Sequence, residues 1–187
     1  MKKILLIFLS LLIIFLMVVF SWEKEKSEAS QEKSIAVKET TPFRYCALFH
    51  KGPFTEIENV VAQLIGEVQA QNIIPQGPMI GIYYNSPEEV APKELQWEFG
   101  FPVGEGTLVK SPLELKEWNF TLVVSALHIG PYEESAKIYP QIFEWMKANN
   151  YSIIGPIIER YLDQDPSKVK PEELRTEVWI PCQRIEK

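Results

Sequence analysis

The chain is poor in the residues that most metal and redox chemistry needs. It has two cysteines and two histidines in 187 residues. No C-x-x-C, zinc-ligand spacing, P-loop or G-x-G-x-x-G run is present. Structural zinc, dithiol redox chemistry and phosphate cradling by a glycine loop therefore have no material here. A histidine triad or multi-histidine metal site has only His50 and His128 to draw on. The net charge of −6 leaves no surplus of cations to neutralise phosphates, which argues against a nucleic-acid partner. Cys46 and Cys182 read either as small buried hydrophobes or as one disulfide joining the ends of the domain in an oxidising compartment.

Apolar and aromatic residues, by contrast, are plentiful: 46% hydrophobic and 12% aromatic. The longest apolar run is Ile4 to Phe20, interrupted only by Ser10 and preceded by Lys2 and Lys3. As a helix it would be about 25 Å long, enough for a thin bilayer. Trp22 follows where an interfacial aromatic belongs, and no small-x-small cleavage pattern is present. Residues 1–22 are therefore expected to be an uncleaved signal anchor. The two lysines put its N-terminus in the cytoplasm and the rest of the chain on the extracytoplasmic side of the membrane. Residues 23–41 are nearly all Glu, Lys, Ser, Gln and Thr, without hydrophobic periodicity, and read as a polar tether. Residues 42–187 remain for one folded domain.

That domain is written twice. Shifted by 78 positions, His50, Gly52, Pro53 and Phe54 fall on His128, Gly130, Pro131 and Tyr132. Gly77-Pro78 falls on Gly155-Pro156 and Tyr83 on Tyr161. With one inserted residue, Pro92, Glu94, Leu95, Glu98 and Pro102 fall on Pro171, Glu173, Leu174, Glu177 and Pro181. Agreement of this density far exceeds the roughly 6% per position that ordinary composition supplies.

Each copy predicts the same elements. A strand (Tyr45 to Phe49; Leu122 to Leu127) runs into the Gly-Pro turn. An amphipathic helix follows, with Ile57, Val60, Val61, Leu64, Ile65 and Val68 in copy one. Its counterpart has Ser135, Ile138, Tyr139, Ile142, Phe143 and Met146, and Pro140 requires that helix to start late or kink. A second strand (Met79 to Tyr84; Ile157 to Leu162), a polar loop and a last strand (Leu95 to Phe101; Leu174 to Ile180) complete the unit, closed by Pro102 and Pro181. The expected fold is α+β: two β-α-β-β repeats, 43–103 and 121–184, joined by a linker at 104–120. Pseudo-twofold symmetry would relate them, with a ligand cleft between them.

H-x-G-P-Y before a helix, then G-P, a tyrosine-bearing strand, a polar loop and a closing E-x-x-I-P segment resemble the GyrI-like domain, the effector-binding module of AraC- and MerR-type regulators. The resemblance spans about residues 42–184. It implies a cleft between the repeats that binds bulky lipophilic, often cationic molecules at a buried acidic residue. Some members resemble hydrolases of cyclopropane-containing toxins. It also places Tyr132 at the cleft rim. The chain carries no helix-turn-helix, which sets it apart from the regulators.

Strand alternation supplies a face assignment of its own. Trp97, Phe99 and Phe101 match Thr176, Val178 and Ile180, and Ile80, Ile82 and Tyr84 match Ile158, Arg160 and Leu162. These mostly apolar sets are expected to pack on the helices. The remaining positions put Glu98, Glu159, Glu177, Tyr83, Tyr161 and Trp179 on one shared face. A carboxylate among aromatics attracts an organic cation, although such a face also suits the solvated side of a sheet. Glu177 is the first candidate, since it matches the acidic position of the family's closing strand; Glu159 is second, and Glu98 is its copy-one counterpart. Gly81 and Gly100, opposite Glu159 and Trp179 in the alignment, suggest that copy one was hollowed to admit a ligand. His50 and His128 are expected to hydrogen-bond within their turns, and Trp118 and Trp145 to pack.

The leading functional reading is a membrane-anchored module binding a lipophilic, cationic small molecule, with no cofactor or metal. Alternatives are a hydrolase with Glu177 as general base on a water, a haem or porphyrin binder, and a protein-interaction domain.

Overall fold

The computed structural model describes residues 35–186. Ala36–Lys187 forms one compact unit. The expected anchor, 1–22, lies outside the described residues, as does most of the tether. Among the described residues no helix is long and apolar enough to cross a membrane.

Among the described residues, nine strands and two helices make an α+β domain. The strands are β1 (Ala36–Glu39), β2 (Phe43–Lys51), β3 (Met79–Tyr83), β4 (Gln96–Val103), β5 (Glu114–Trp118), β6 (Leu122–Ile129), β7 (Tyr151–Ile153), β8 (Ile157–Tyr161) and β9 (Arg175–Arg184). The helices are α1 (Ile57–Ala70) and α2 (Tyr139–Ala148). The main sheet is antiparallel, in the order β1-β6-β9-β8-β3-β4-β2-β5, with β7 paired to β9.

The expected helices form for the expected reason. Val60, Leu64 and Val68 are the buried stripe of α1, and Ile142 and Met146 that of α2. Pro140 sits in the first turn of α2, where its missing N–H costs nothing. The residues ahead of it, Tyr132–Ile138, form a 3-10 segment rather than a continuous α-helix.

Register reveals the symmetry. The pairs Gly81↔Glu159, Ile80↔Arg160 and Ile82↔Ile158 join β3 to β8. Gly81 and Glu159 are equivalent in the repeat, so the pseudo-twofold axis passes through that pair. Glu98 faces Phe49 and Ile82, and Glu177 faces the equivalents Leu127 and Arg160.

Three expectations change. Part of the tether is structured: β1 pairs with β6, its four residues finding in that edge the hydrogen-bond partners that composition cannot reveal. The linker contains β5, which pairs with β2. Ala36↔Ser125 and Glu114↔Ala47 are equivalent pairs, because 114 − 36 and 125 − 47 both equal 78. Each copy is thus completed by the strand that precedes the other. Finally, Pro102 and Pro181 lie within β4 and β9 instead of ending them. Pro102 sits beyond the end of β3, where its carbonyl accepts from the Gln76 amide and no ladder N–H is required.

Both faces of the sheet carry buried apolar residues. Leu48, Leu64, Trp97, Phe99 and Tyr161 belong to the core under α1, whereas Tyr45, Ile80, Ile82, Trp118, Ile158 and Trp179 form a second core on the reverse face. Cys46 and Cys182 are free and buried, as small hydrophobes.

Candidate functional site

Directly opposed residues in an antiparallel pair project from the same face. Tyr83 opposes Trp97, and Gly81 opposes Phe99. Tyr161 opposes Thr176, and Glu159 opposes Val178. Tyr83, Tyr161 and Glu159 therefore rise toward the helices. Glu98 opposes Ile82, and Trp179 opposes Ile158, so Glu98, Glu177 and Trp179 occupy the reverse face. The single shared face read from alternation is corrected to two. Alternation separates the two faces of a strand but does not say which face of one strand matches which of the next. Because both faces carry apolar residues, matching by hydropathy chose the wrong phase.

The carboxylates differ sharply in their partners. Glu98, fully buried, accepts at Oε1 from the hydroxyls of Tyr45 (2.9 Å) and Tyr84 (2.7 Å) and at Oε2 from Lys116 Nζ (2.5 Å). Burial and the Glu98 charge push both tyrosines up, which keeps them protonated donors. Glu177 accepts from Lys38 Nζ (2.6 Å), from Ser125 Oγ (3.1 Å) and from Arg160. Both cations also sit over the Trp179 ring, at 4.9 Å for Lys38 and 4.1 Å for Arg160. Burial pushes the Glu177 carboxyl up, but the Lys38 hydrogen bond and the Arg160 charge outweigh it and hold it below its ordinary value. Lys38 and Lys116 are equivalent, one on each exchanged strand, so the two ion pairs are symmetric copies.

Glu159 is different. It is 4% exposed and sits on the pseudo-twofold axis. Its Oε1 accepts from Ser135 Oγ (2.9 Å) and Tyr139 OH (2.6 Å), and its Oε2 from Tyr161 OH (2.8 Å) and Tyr83 OH (3.3 Å). The hydroxyls of Tyr83 and Tyr161 lie 3.0 Å apart. Among the described residues no Lys or Arg pairs with it. Burial, followed by the Glu159 charge, drives Tyr83, Tyr139 and Tyr161 upward, so all three remain O–H donors. Within the described residues, four neutral donors and no cation surround this buried carboxylate.

Aromatic rings enclose this group. Phe99 stacks on Tyr161 (5.9 Å, 18°), and Tyr132 meets Tyr161 edge-on (5.1 Å, 74°). The copy-one equivalent of Tyr132, Phe54, meets Tyr83 in the same way (5.6 Å, 87°). Tyr132 is half-buried. A Cβ on Gly81 would stand 3.1 Å from both Phe99 Cε1 and the Tyr83 hydroxyl. The space that glycine frees is filled by these two rings.

Helical periodicity alone assigns Ser135 and Tyr139 to the helix core. The repeat held a signal: their equivalents Ile57 and Val61 are apolar, and Gly81 stands where copy two has Glu159. Three polar substitutions at aligned apolar or glycine positions converge on one point. The histidines stay in their turns, as expected: His128 Nε2 contacts the Pro131 carbonyl (3.1 Å) and His50 Nε2 the Glu56 carboxylate (2.5 Å). Among the described residues no cluster of His, Cys, Asp or Glu could hold a metal.

Residues 33–183 match the GyrI-like small molecule binding domain. The chain belongs to this family. The GyrI-like fold is also seen in solved structures. The EcmrR C-terminal domain superposes with a TM-score of 0.71 at 20% identity, over 81% of this chain and 98% of that one. A hydrolase from Listeria innocua superposes with a TM-score of 0.59 at 13% identity, over 86% and 97%. SAV2435 bound to tetraphenylphosphonium superposes with a TM-score of 0.58 at 10% identity, over 80% and 93%. No curated protein matches the chain. At these identities the likeness establishes the shared GyrI-like fold.

Proposed function

We propose that this GyrI-like domain binds a lipophilic organic cation, with Glu159 as the counter-charge. One observation carries the reading: among the described residues Glu159 is the buried strand carboxylate that lacks a cation, whereas Glu98 and Glu177 each have a lysine. Burying a carboxylate without a counter-charge is costly, and hydroxyl donors offset only part of that cost. A cation recovers the remainder, and the rings around it add quadrupole attraction and apolar area. The tetraphenylphosphonium bound by SAV2435 is a ligand of this chemical class.

This reading moves the charge contact from Glu177 to Glu159. Glu177 has a surplus of positive charge about it, from Lys38 and Arg160, and would gain nothing from a cationic ligand. The same contacts count against Glu177 as a general base, since a carboxylate held by two cations is a poor proton acceptor. Glu159, with four donors on its lone pairs, is no better placed to take a proton from water. Binding is therefore favoured over hydrolysis.

We also propose that the apolar run Ile4–Phe20 anchors the domain to a membrane on its extracytoplasmic side. The binding reading is tested by titrating the purified full chain with rhodamine 6G, followed by fluorescence anisotropy, and displacing the dye with tetraphenylphosphonium. Saturable, mutually competitive binding is expected; no displaceable binding would overturn it.

A further inference from the structure

Thr176 lies beside this site and is fully buried. It opposes Tyr161 across β8 and β9, so its side chain rises on the same face as Tyr161 and Glu159. On its other side it opposes His128. Its hydroxyl oxygen is buried and has no hydrogen-bond partner among the described residues. A buried hydroxyl in that condition forfeits its hydration without compensation.

The repeat shows what this position does when it is purely structural. The equivalent of Thr176 is Trp97, at a shift of 79. Trp97 is fully buried, and its indole N–H donates to the Gly52 carbonyl (2.9 Å) in the Gly-Pro turn. His50 packs against its ring (4.7 Å). Copy one thus fills the position with a large, satisfied side chain. Copy two puts a much smaller one there, with an unsatisfied hydroxyl, in the half that supplies Glu159, Ser135 and Tyr139. Valine would match the shape of threonine and leave no polar atom unpaired.

We propose that Thr176 is a second polar contact of the ligand site, and that its hydroxyl donates to a hydrogen-bond acceptor carried by the bound cation. This rests on the binding reading and narrows it. The preferred ligands are lipophilic cations that also bear a carbonyl or ether oxygen, its place being on the Tyr161 side of the positive centre.

The test is Thr176→Val in the full chain, with two probes. Rhodamine 6G carries an ester; tetraphenylphosphonium has no hydrogen-bonding group. Valine should weaken rhodamine 6G by about 3- to 10-fold, the range of one neutral hydrogen bond, and leave tetraphenylphosphonium unchanged. The melting midpoint without ligand should hold or rise, because an unsatisfied hydroxyl is removed. Equal effects on both cations, or no effect on either, would overturn the proposal, as would a lowered midpoint with unchanged affinities, which would make the hydroxyl a structural partner. Failure of wild type to bind either probe would instead refute the binding reading itself.

Discussion

Replacing Glu159 with Gln keeps the shape of the side chain and removes its charge. In the free protein the amide oxygen can still accept from Ser135 and Tyr139, while the new NH2 faces the hydroxyls of Tyr83 and Tyr161, which can accept. Stability should change little, since the loss of charge-assisted hydrogen bonds is offset by relief of an uncompensated buried charge. Affinity should change much more. At roughly 4.5 Å and an effective dielectric constant of about 20, the charge contact is worth at most ~4 kcal/mol. Part of this is lost to desolvation of the ligand, which leaves about 2–3 kcal/mol, or roughly 30- to 150-fold in Kd. The effect should persist at high salt, because a buried contact is poorly screened. Calorimetric titration of wild type and Glu159→Gln with tetraphenylphosphonium at two salt concentrations measures both terms. A change below threefold, or one that disappears in salt, would refute the argument, as would a larger effect from Glu177→Gln.

Gly81→Ala should push Phe99 and the Tyr83 hydroxyl away from their positions; a stability loss of about 1–3 kcal/mol in urea is expected, together with weaker cation binding. Lys38→Met should raise the Glu177 carboxyl toward its ordinary value. A depressed carboxyl contributes stability above the unfolded-state value near 4.3 and loses it as pH falls through the folded one. The deficit of the variant, under about 1 kcal/mol for so exposed a lysine, should therefore be present at pH 7, begin to shrink near the unfolded-state value of about 4.3, and vanish as pH falls through the lower folded one. Unequal midpoints that do not converge would contradict the pairing. For the anchor, alkaline phosphatase fused after Lys187 should be active and remain with membranes after a carbonate wash; an inactive fusion would reverse the orientation, and release by carbonate would remove the anchor.

Much of the architecture is legible in the sequence. The 78-residue shift identified the repeat, and the i, i+3, i+4 stripes located both helices, down to the delayed start that Pro140 imposes. The short strands β1, β5 and β7 escaped, because three to five residues hold as strand only where an edge offers partners, and pairing is non-local. The candidate site was half legible. Glu159, Tyr83, Tyr161 and Tyr132 do come together, while Glu98, Glu177 and Trp179 belong to the reverse face. The misplacement has a physical cause: with buried apolar residues on both faces of the sheet, hydropathy offers no single apolar side against which to phase its strands. The neutralising lysines were equally hidden, since both sit on strands that cross to the other repeat.

The most direct test of the central claim is a crystal structure of the full chain soaked or co-crystallised with tetraphenylphosphonium. The phosphorus should lie within ion-contact distance of the Glu159 carboxylate, with the rings of Tyr83, Tyr132 and Tyr161 moved aside to receive the phenyl groups. Density for the ligand against Glu177, or in the shallow apolar groove formed by Phe143, Met146 and Ile185, with Glu159 still held by its four hydroxyls, would contradict it.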